Sequence, residues 1–522
     1  MSDSPSTTAM SKVAFDAGVL SEPRLLFGGG QEHVDPKLGL SLFGPYCPAD
    51  QANPVMTSIR VGIVGPGSAV SDTERWLEAC SGLIANDGSQ PFLAPEFPGF
   101  TEAMPFQCRL IFGDPMRSIL TEKDIKGALA PTNLFERIRS VARVYSEGIE
   151  TLNQREPRPD VVICSLPQEV IDVCAAQLTK SGELKRRRIP KAEKRARDAA
   201  ERGQGFLFTE MDPTVNFDDE TWQFSDLRRA IKVMAMQYGM PTQLAWPRAI
   251  ALQNAEEQQA QDRATRAWNF TTALYYKAGG TPWRWSGAKP NTCFVGISFY
   301  KEGRDTASKL RTAMAQTFTS SGDGYVLRGN SFEWDADREK NRSPHLDRTS
   351  AEALMKLVID FYSKQNNNVK PARVVIHKSS KFWEPELEGL RSGCEGVSQV
   401  DLVALQWRGV QFYRMGNYPP LRGTYVKFSD QNQLLYTMGY VPIQRSYNGP
   451  RVPQPLEVIE RHGDTPWRDI LSEIQGLTKL NWNTAAFSVA EPITLAFARR
   501  VGQILAEVRS DQKIRNEYRF FM

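Results

Sequence analysis

The sequence predicts an α/β layer fold with a mainly parallel sheet, built as two units. Three observations predict it. The chain has 522 residues, more than one hydrophobic core usually serves. Short apolar runs alternate with segments of helical period, the pattern of strand followed by crossover helix. The loop TPWRWSGAKPNT separates two such series, placing a boundary near 283–290.

The elements follow in order. Residues 1–20 read as a loose leader, and the turn-rich LLFGGGQEHVDPKLGLSLFGPY (25–46) decorates a domain rather than forming one; together they make a leader and packing segment, 1–54. The first unit, 55–285, opens with TSIRVGIVGPG (57–67), a strand running into glycine turns. SDTERWLEACSGLIA (71–85) has a helical period, DVVICSLP (160–167) is a buried strand, and QEVIDVCAAQL (168–178) is a helix. The charged run 180–205 has almost no apolar content, so it reads as a solvated insertion or a basic segment for a phosphate backbone. SDLRRAIKVMAMQYGMP begins a helix with a capping Ser, TQLAWP leads into a strand, and DRATRAWNFTTALYYKAGG (262–280) is a long helix closed by glycines. The second unit, 286–522, holds FVGISFY, ARVVIHKSSKFW, DLVALQW, TYVKFS, LLYTMGYVPI and the helix PITLAFARRVGQILAEV.

Composition narrows the function. Net charge is +4, too small to announce a nucleic-acid binder, so any basic surface is local. Seven cysteines without a C-x-x-C pair and four histidines argue against zinc and against a disulfide framework. The first twenty residues lack a signal-peptide pattern, and no apolar run is long enough to span a membrane, so a cytoplasmic protein is expected. G-x-S-x-G, Walker and H-E-x-x-H motifs are absent, and neither GGGQ (28–31) nor VGPGSAV (64–70) completes a dinucleotide loop.

Two constellations could carry chemistry. Arg228 and Lys232, four apart, share one helix face. Gln243 lies just past that helix, and Lys277 ends a later one beside glycines. Cations plus an amide suit a terminal phosphate, which carries more charge than an internal one. A two-metal nuclease would need converging carboxylates at strand ends. The second unit offers instead Ser298, Lys378, Ser379, Ser380, Arg499 and Arg500, with Glu302 and Asp305 beyond its first strand. His377 reads as a packed core histidine.

In sequence order, DLRRAIK, PTQ, LYYKAGGTPWRW and FVGISFY, then PARVVIHKSS, GYVPIQRSYNGPRVPQPLEV and LTKLNWNTAAFSVAEPITLAFARRVGQIL, resemble the MID and PIWI domains of short prokaryotic Argonautes. SEPRLLFGGGQ and the ending YRFFM fit the same subgroup, and no room is left for separate N and PAZ domains. The resemblance spans roughly residues 22–522. It implies a Rossmann-like MID domain followed by an RNase H-like PIWI domain. It assigns Arg228, Lys232, Gln243 and Lys277 to a guide 5′-phosphate pocket, and implies that Mg²⁺ can join that pocket through the C-terminal carboxylate of Met522. Arg445, Lys479 and Asn481 fall where the family contacts guide and target backbones. The slicer positions fall on Ser298, Ser379 and Arg499, which cannot hold Mg²⁺, so no catalysis is expected of this chain. The resemblance further implies an RNA guide, a single-stranded DNA target from an invading plasmid or phage, and an APAZ-containing partner bearing a TIR or sirtuin-like NADase or a nuclease. Activation of that partner would end in abortive death of the invaded cell. The rival is an active guide-dependent endonuclease using Glu302, Asp305 or other acids.

Overall fold

A computed structural model describes residues 15–48, 56–86, 91–174, 226–252, 262–300, 324–329, 344–412, 416, 418–447, 452–508 and 514–522, with the backbone of 176–178, 184–186 and 311–319. The run 180–205, Glu302 and Asp305 lie outside the described residues, apart from the backbone of 184–186. Seven strands carry the architecture: β1 (Asp16–Val19), β2 (Ser58–Pro66), β3 (Val161–Ser165), β4 (Thr242–Ala245), β5 (Thr292–Tyr300), β6 (Arg373–Lys378) and β7 (Gln399–Trp407). Three helices position the site: α1 (Leu227–Met236), α2 (Arg263–Ala278) and α3 (Ile493–Leu505).

The first unit is a parallel five-stranded sheet in which β4, β3 and β2 are successive neighbours. Arg109–Ile111 and Arg117–Leu120 pair in parallel with β2. β3 is buried along its whole length, as a parallel strand covered on both faces must be. The helix after β2 runs Gly67–Cys80, so it starts at the glycines that the sequence assigned to a turn. The helix after β3 stops at Cys174, and Ala176–Leu178 is extended rather than helical.

The second unit is a nine-stranded mixed sheet. β5, β6 and β7 are parallel at its centre. Antiparallel strands flank them on both sides, so this sheet is less parallel than expected. α3 lies on β5 because Gly296 leaves room: a Cβ there would sit 1.9 Å from the Thr494 carbonyl oxygen. The expected strand LLYTMGYVPI forms a strand only at its start, as part of Gln433–Leu435, with isolated bridges at Tyr440 and Val441.

The leader expectation is corrected. Residues 16–19 are β1, the outermost strand of this sheet, antiparallel to Thr424–Lys427. Glu22 just after β1 fixes the chain there, accepting from Arg422 Nε at 3.0 Å and Lys479 Nζ at 2.7 Å. Leu25–Leu26 then pairs with Arg284–Trp285, in a stretch expected to be only loop. One continuous apolar core joins both units, with Val61 and Trp268 from the first and Phe294 and Phe497 from the second.

Under the large sheet, Arg373 of β6 donates to Asp401 at 2.7 Å and to Glu473 at 2.5 Å and 3.0 Å. All three side chains are nearly dry. Replacing the cation strands two buried carboxylates. Arg373→Met should therefore lower stability by about 3–5 kcal/mol, read as a reduced urea midpoint with unchanged slope.

Candidate anion-binding site

The site is assembled from both units. Asp226 caps α1, accepting from Arg229 N at 3.0 Å, in place of the Ser expected to do so. Leu227, Ala230 and Ile231 turn into the core, which directs the Arg228 and Lys232 face towards β4 and α2. Asp262 caps α2, and Gly279 at φ 113° ends it just after Lys277, where a side chain would be strained. Parallel pairing of β4 with β3 sets Gln243 beside Ile163.

The four predicted residues line one cavity of about 390 Å³. Lys232, Gln243 and Lys277 are 1%, 6% and 4% exposed. Lys277 Nζ donates to Gln243 Oε1 at 3.2 Å, and Gln243 Nε2 donates to the Phe270 carbonyl at 3.2 Å. Lys232 Nζ donates to the Thr242 carbonyl at 3.1 Å and to the main-chain oxygen of Met522. The segment carrying Met522 arrives from the second sheet: Val326 N donates to Asn516 O at 2.7 Å, and Tyr518 stacks on Phe497 at 3.8 Å.

The lining also contains residues that the sequence pattern did not single out for this site: Trp246, Arg266, Asn269, Asn483 and Arg500. Arg500 was visible only as half of a basic pair on the last helix. Its place in the pocket depends on how the second unit docks, which no local pattern encodes.

Cations dominate the cavity, and none of the side chains lining it is a carboxylate. Burial pushes the Lys277 amine down to about 7, with Arg228 adding repulsion. Burial, then Lys277 and Arg228, pushes Lys232 well below the usual lysine range. Burial and Arg500 lower Arg228 in the same way. An entering phosphate would supply the missing negative charge, and each lysine would regain its proton against it. The side chains of this set do not fit Mg²⁺, since they offer it ammonium and guanidinium groups instead of charged oxygens, and the Met522 main-chain oxygen is already held by Lys232.

The predicted backbone contacts fare differently. Lys479 is a correction: its side chain is fully buried, donating to Glu22 and, at 2.6 Å, to the Val34 carbonyl. Asn481 is also buried, with Oδ1 accepting from Asn483 N at 3.2 Å. Lys479 thereby holds the second unit against the N-terminal segment, while the Asn481 bond shapes its own loop. Arg445 is exposed, with its guanidinium 4.7 Å over the Phe92 ring.

The three positions matched to slicer ligands lie at neighbouring strand and helix positions. Ile297 pairs with Lys378, so Ser298 and Ser379 follow at adjacent steps. Ser298 Oγ donates to the Ala498 carbonyl at 2.9 Å, and Arg499 donates to Glu491 at 2.7 Å. Lys378 is sealed in an ion pair with Glu386, at 2.7 Å and 2.5 Å to its two oxygens. His377 is buried and bonded to Thr494 Oγ1 at 2.8 Å, and burial pushes it down to about 3, so the ring is neutral, as expected of a core histidine. Among the described residues no cluster of three or more His, Cys, Asp or Glu could hold a metal ion.

No protein-family model matches the chain. In sequence it is 23% identical over 309 residues to a protein argonaute of Cereibacter sphaeroides, a match covering 53% of this chain and 38% of that protein. In fold it is similar to Clostridium butyricum Argonaute bound to a guide DNA and a 19-mer target DNA: TM-score 0.59, 14% identity, 95% of this chain and 53% of that one. Drosophila Piwi gives a TM-score of 0.56 at 10% identity, covering 97% of this chain and 56% of that one. The chain thus spans about half the length of these solved structures. No helix among the described residues is long and apolar enough to cross a membrane.

Lys277 gives the site a pH signature. Its pKa near 7 in the empty pocket rises when a phosphate binds. Above pH 7 binding therefore takes up a proton, and affinity for a 5′-phosphorylated oligonucleotide should fall as pH rises from 7 to 9. Below pH about 6 the phosphate itself gains a proton, so affinity should peak between the two. Calorimetric titration at pH 8 in two buffers of different ionisation heat should reveal the uptake. Lys277→Met should reduce that uptake, and equal heats in the two buffers for the unaltered chain would show that neither Lys277 nor Lys232 gains a proton on binding.

Proposed function

We propose that the chain, similar in sequence to a protein argonaute and in fold to Argonaute and Piwi structures, is a guide-directed nucleic-acid sensor. The buried cationic pocket around Arg228, Lys232, Gln243 and Lys277 carries the reading: it suits a doubly charged terminal phosphate, and no acidic side chain lines it to satisfy those cations. The guide, an RNA on the resemblance, is anchored there by its 5′-phosphate. Base pairing rather than side chains then supplies sequence specificity for a single-stranded DNA target.

The chain senses without slicing. Ser298, Ser379 and Arg499 support this, since two hydroxyls and a guanidinium offer a divalent ion no negative charge, and the nearby Glu386 carboxylate is taken up by Lys378. Catalysis is assigned to a second protein, an APAZ-containing effector that depletes NAD. Target pairing shifts the complex towards its active state, and defence against plasmids and phages through death of the invaded cell is the outcome. These finer points rest on the resemblance of the sequence motifs.

The test is binding of matched oligonucleotides with 5′-phosphate or 5′-hydroxyl ends. The phosphorylated strand should bind more tightly. Lys277→Met, which removes one charge-assisted hydrogen bond of about 1.5–3 kcal/mol, should cost roughly ten- to 150-fold for that strand alone. Lys232→Glu with Lys277→Glu should abolish loading while the circular dichroism spectrum is kept. Equal affinity for both ends would refute the pocket. Cleavage of a guide-matched target by this chain with Mg²⁺ or Mn²⁺ would restore the nuclease reading, through Glu302, Asp305 or other acids.

A further inference from the structure

The three parallel strands of the large sheet end side by side, and open α/β sheets take their ligands at the carboxyl ends of such strands. A closed circuit of side chains rims this end. Ile297 of β5 pairs with Lys378 of β6, and Lys378 with Ala404 of β7, so Ser298, Ser379 and Gln406 stand one or two positions past that level. Ser298 Oγ donates to the Ala498 carbonyl of α3 at 2.9 Å, and the next residue, Arg499, donates through Nη2 to Glu491 Oε1 at 2.7 Å. Trp407, the last residue of β7, donates Nε1 to the same oxygen at 3.0 Å, and Gln406 Nε2 closes the circuit on the Ser379 carbonyl at 3.2 Å.

The rim has one cation to offer. The Arg499 side chain is 34% exposed, while Glu491 behind it is 11% exposed. The carboxylate fixes the guanidinium from one side. Among the described residues, Arg499 Nε and Nη1 have no hydrogen-bond partner, and neither has Ser379 Oγ. The other cations on these strand ends are engaged, Lys378 by Glu386 and Arg408 by Glu457. Ser298 gives its proton to Ala498, which leaves it an acceptor. A planar fork of N–H donors beside a hydroxyl is a donor set for an anionic oxygen pair. Charge decides which anion. The pocket around Lys232 and Lys277 gathers several cations and suits a doubly charged end group. One guanidinium, backed by a carboxylate, suits the single charge of an internal phosphodiester.

We infer that the carboxyl ends of β5 and β6 form a second anion site, in which Arg499, assisted by Ser379, holds an internal phosphodiester of a bound nucleic-acid strand. Glu491 and Trp407 are positioning residues that aim the guanidinium. α3 serves both sites, since Arg499 belongs to this rim and Arg500 lines the first cavity. One helix therefore fixes the spacing of the two phosphates. The inference rests on the nucleic-acid reading above but does not require the terminal-phosphate pocket.

The experiment measures guide binding to the full chain, then target binding to the loaded chain. Each internal phosphate of either strand is replaced in turn by an uncharged methylphosphonate. Arg499→Leu should weaken binding on the order of tenfold, a charge-assisted bond discounted for its exposure. It should lower the slope of log affinity against log salt by about one. It should also become insensitive to the methylphosphonate at one internal position to which the wild type responds, and the strand carrying that position identifies the held phosphate as guide or target. Arg499→Lys should keep the salt slope. Both variants should keep the preference for a 5′-phosphate over a 5′-hydroxyl, which shows that the fold and the first pocket are intact. Identical methylphosphonate profiles in wild type and Arg499→Leu would overturn the inference, as would an unchanged salt slope. If the wild type ignores the 5′-phosphate while the Arg499 coupling persists, the pocket reading falls and the second site stands. If no oligonucleotide binds, both fall.

Discussion

The structure depends on an unpaid electrostatic cost, the burial of lysine amines without acidic side chains beside them. Lys232 and Lys277 sit in a cavity walled by α1, α2 and β4, where their charged forms are disfavoured. A fold selected for stability alone would pair such groups or replace them with apolar ones. Here the hydrogen bonds go to Gln243, to the Thr242 carbonyl and to the Met522 main-chain oxygen, and none goes to an acidic side chain. The pocket is thereby preorganised for a charge that must come from outside.

Elsewhere the chain treats buried charge in the opposite way. Arg373 has Asp401 and Glu473, and Lys378 has Glu386. Burial raises the Glu22 carboxyl, but Arg422 and Lys479 outweigh it and hold it below the usual carboxylate range. Those networks tie strands to helices and the N-terminal segment to the second unit. The contrast between satisfied networks and one unsatisfied pocket separates structural charge from charge kept for a ligand.

Much of this was legible in the sequence. Alternating strands and helices gave the first sheet, and the i, i+4 pair Arg228 and Lys232 marked the pocket because both lie on one helix. Other features were not legible, for definite reasons. β1 is four residues without apolar alternation, so only its pairing with Thr424–Lys427 makes it a strand. Lys479 resembled a surface cation until tertiary packing brought Glu22 to it. Arg500 and Asn483 enter the pocket through the docking of the two units, a long-range event that leaves no periodic trace.

The pairing of β1 has a consequence for how the protein is made. Glu22 and Arg422, which secure that edge, are separated by 400 positions in the chain. Contacts so distant close late, because the entropy of the intervening loop must be met first. On the ribosome, residues 16–19 emerge early and wait for most of the chain before their partner strand exists. Until then, residues 16–19 and the apolar ring of Phe15, which later meets Phe428, stay open to other strands. Completion of the large sheet is thus a terminal event of synthesis, and the nascent chain is most vulnerable to mispairing just before it.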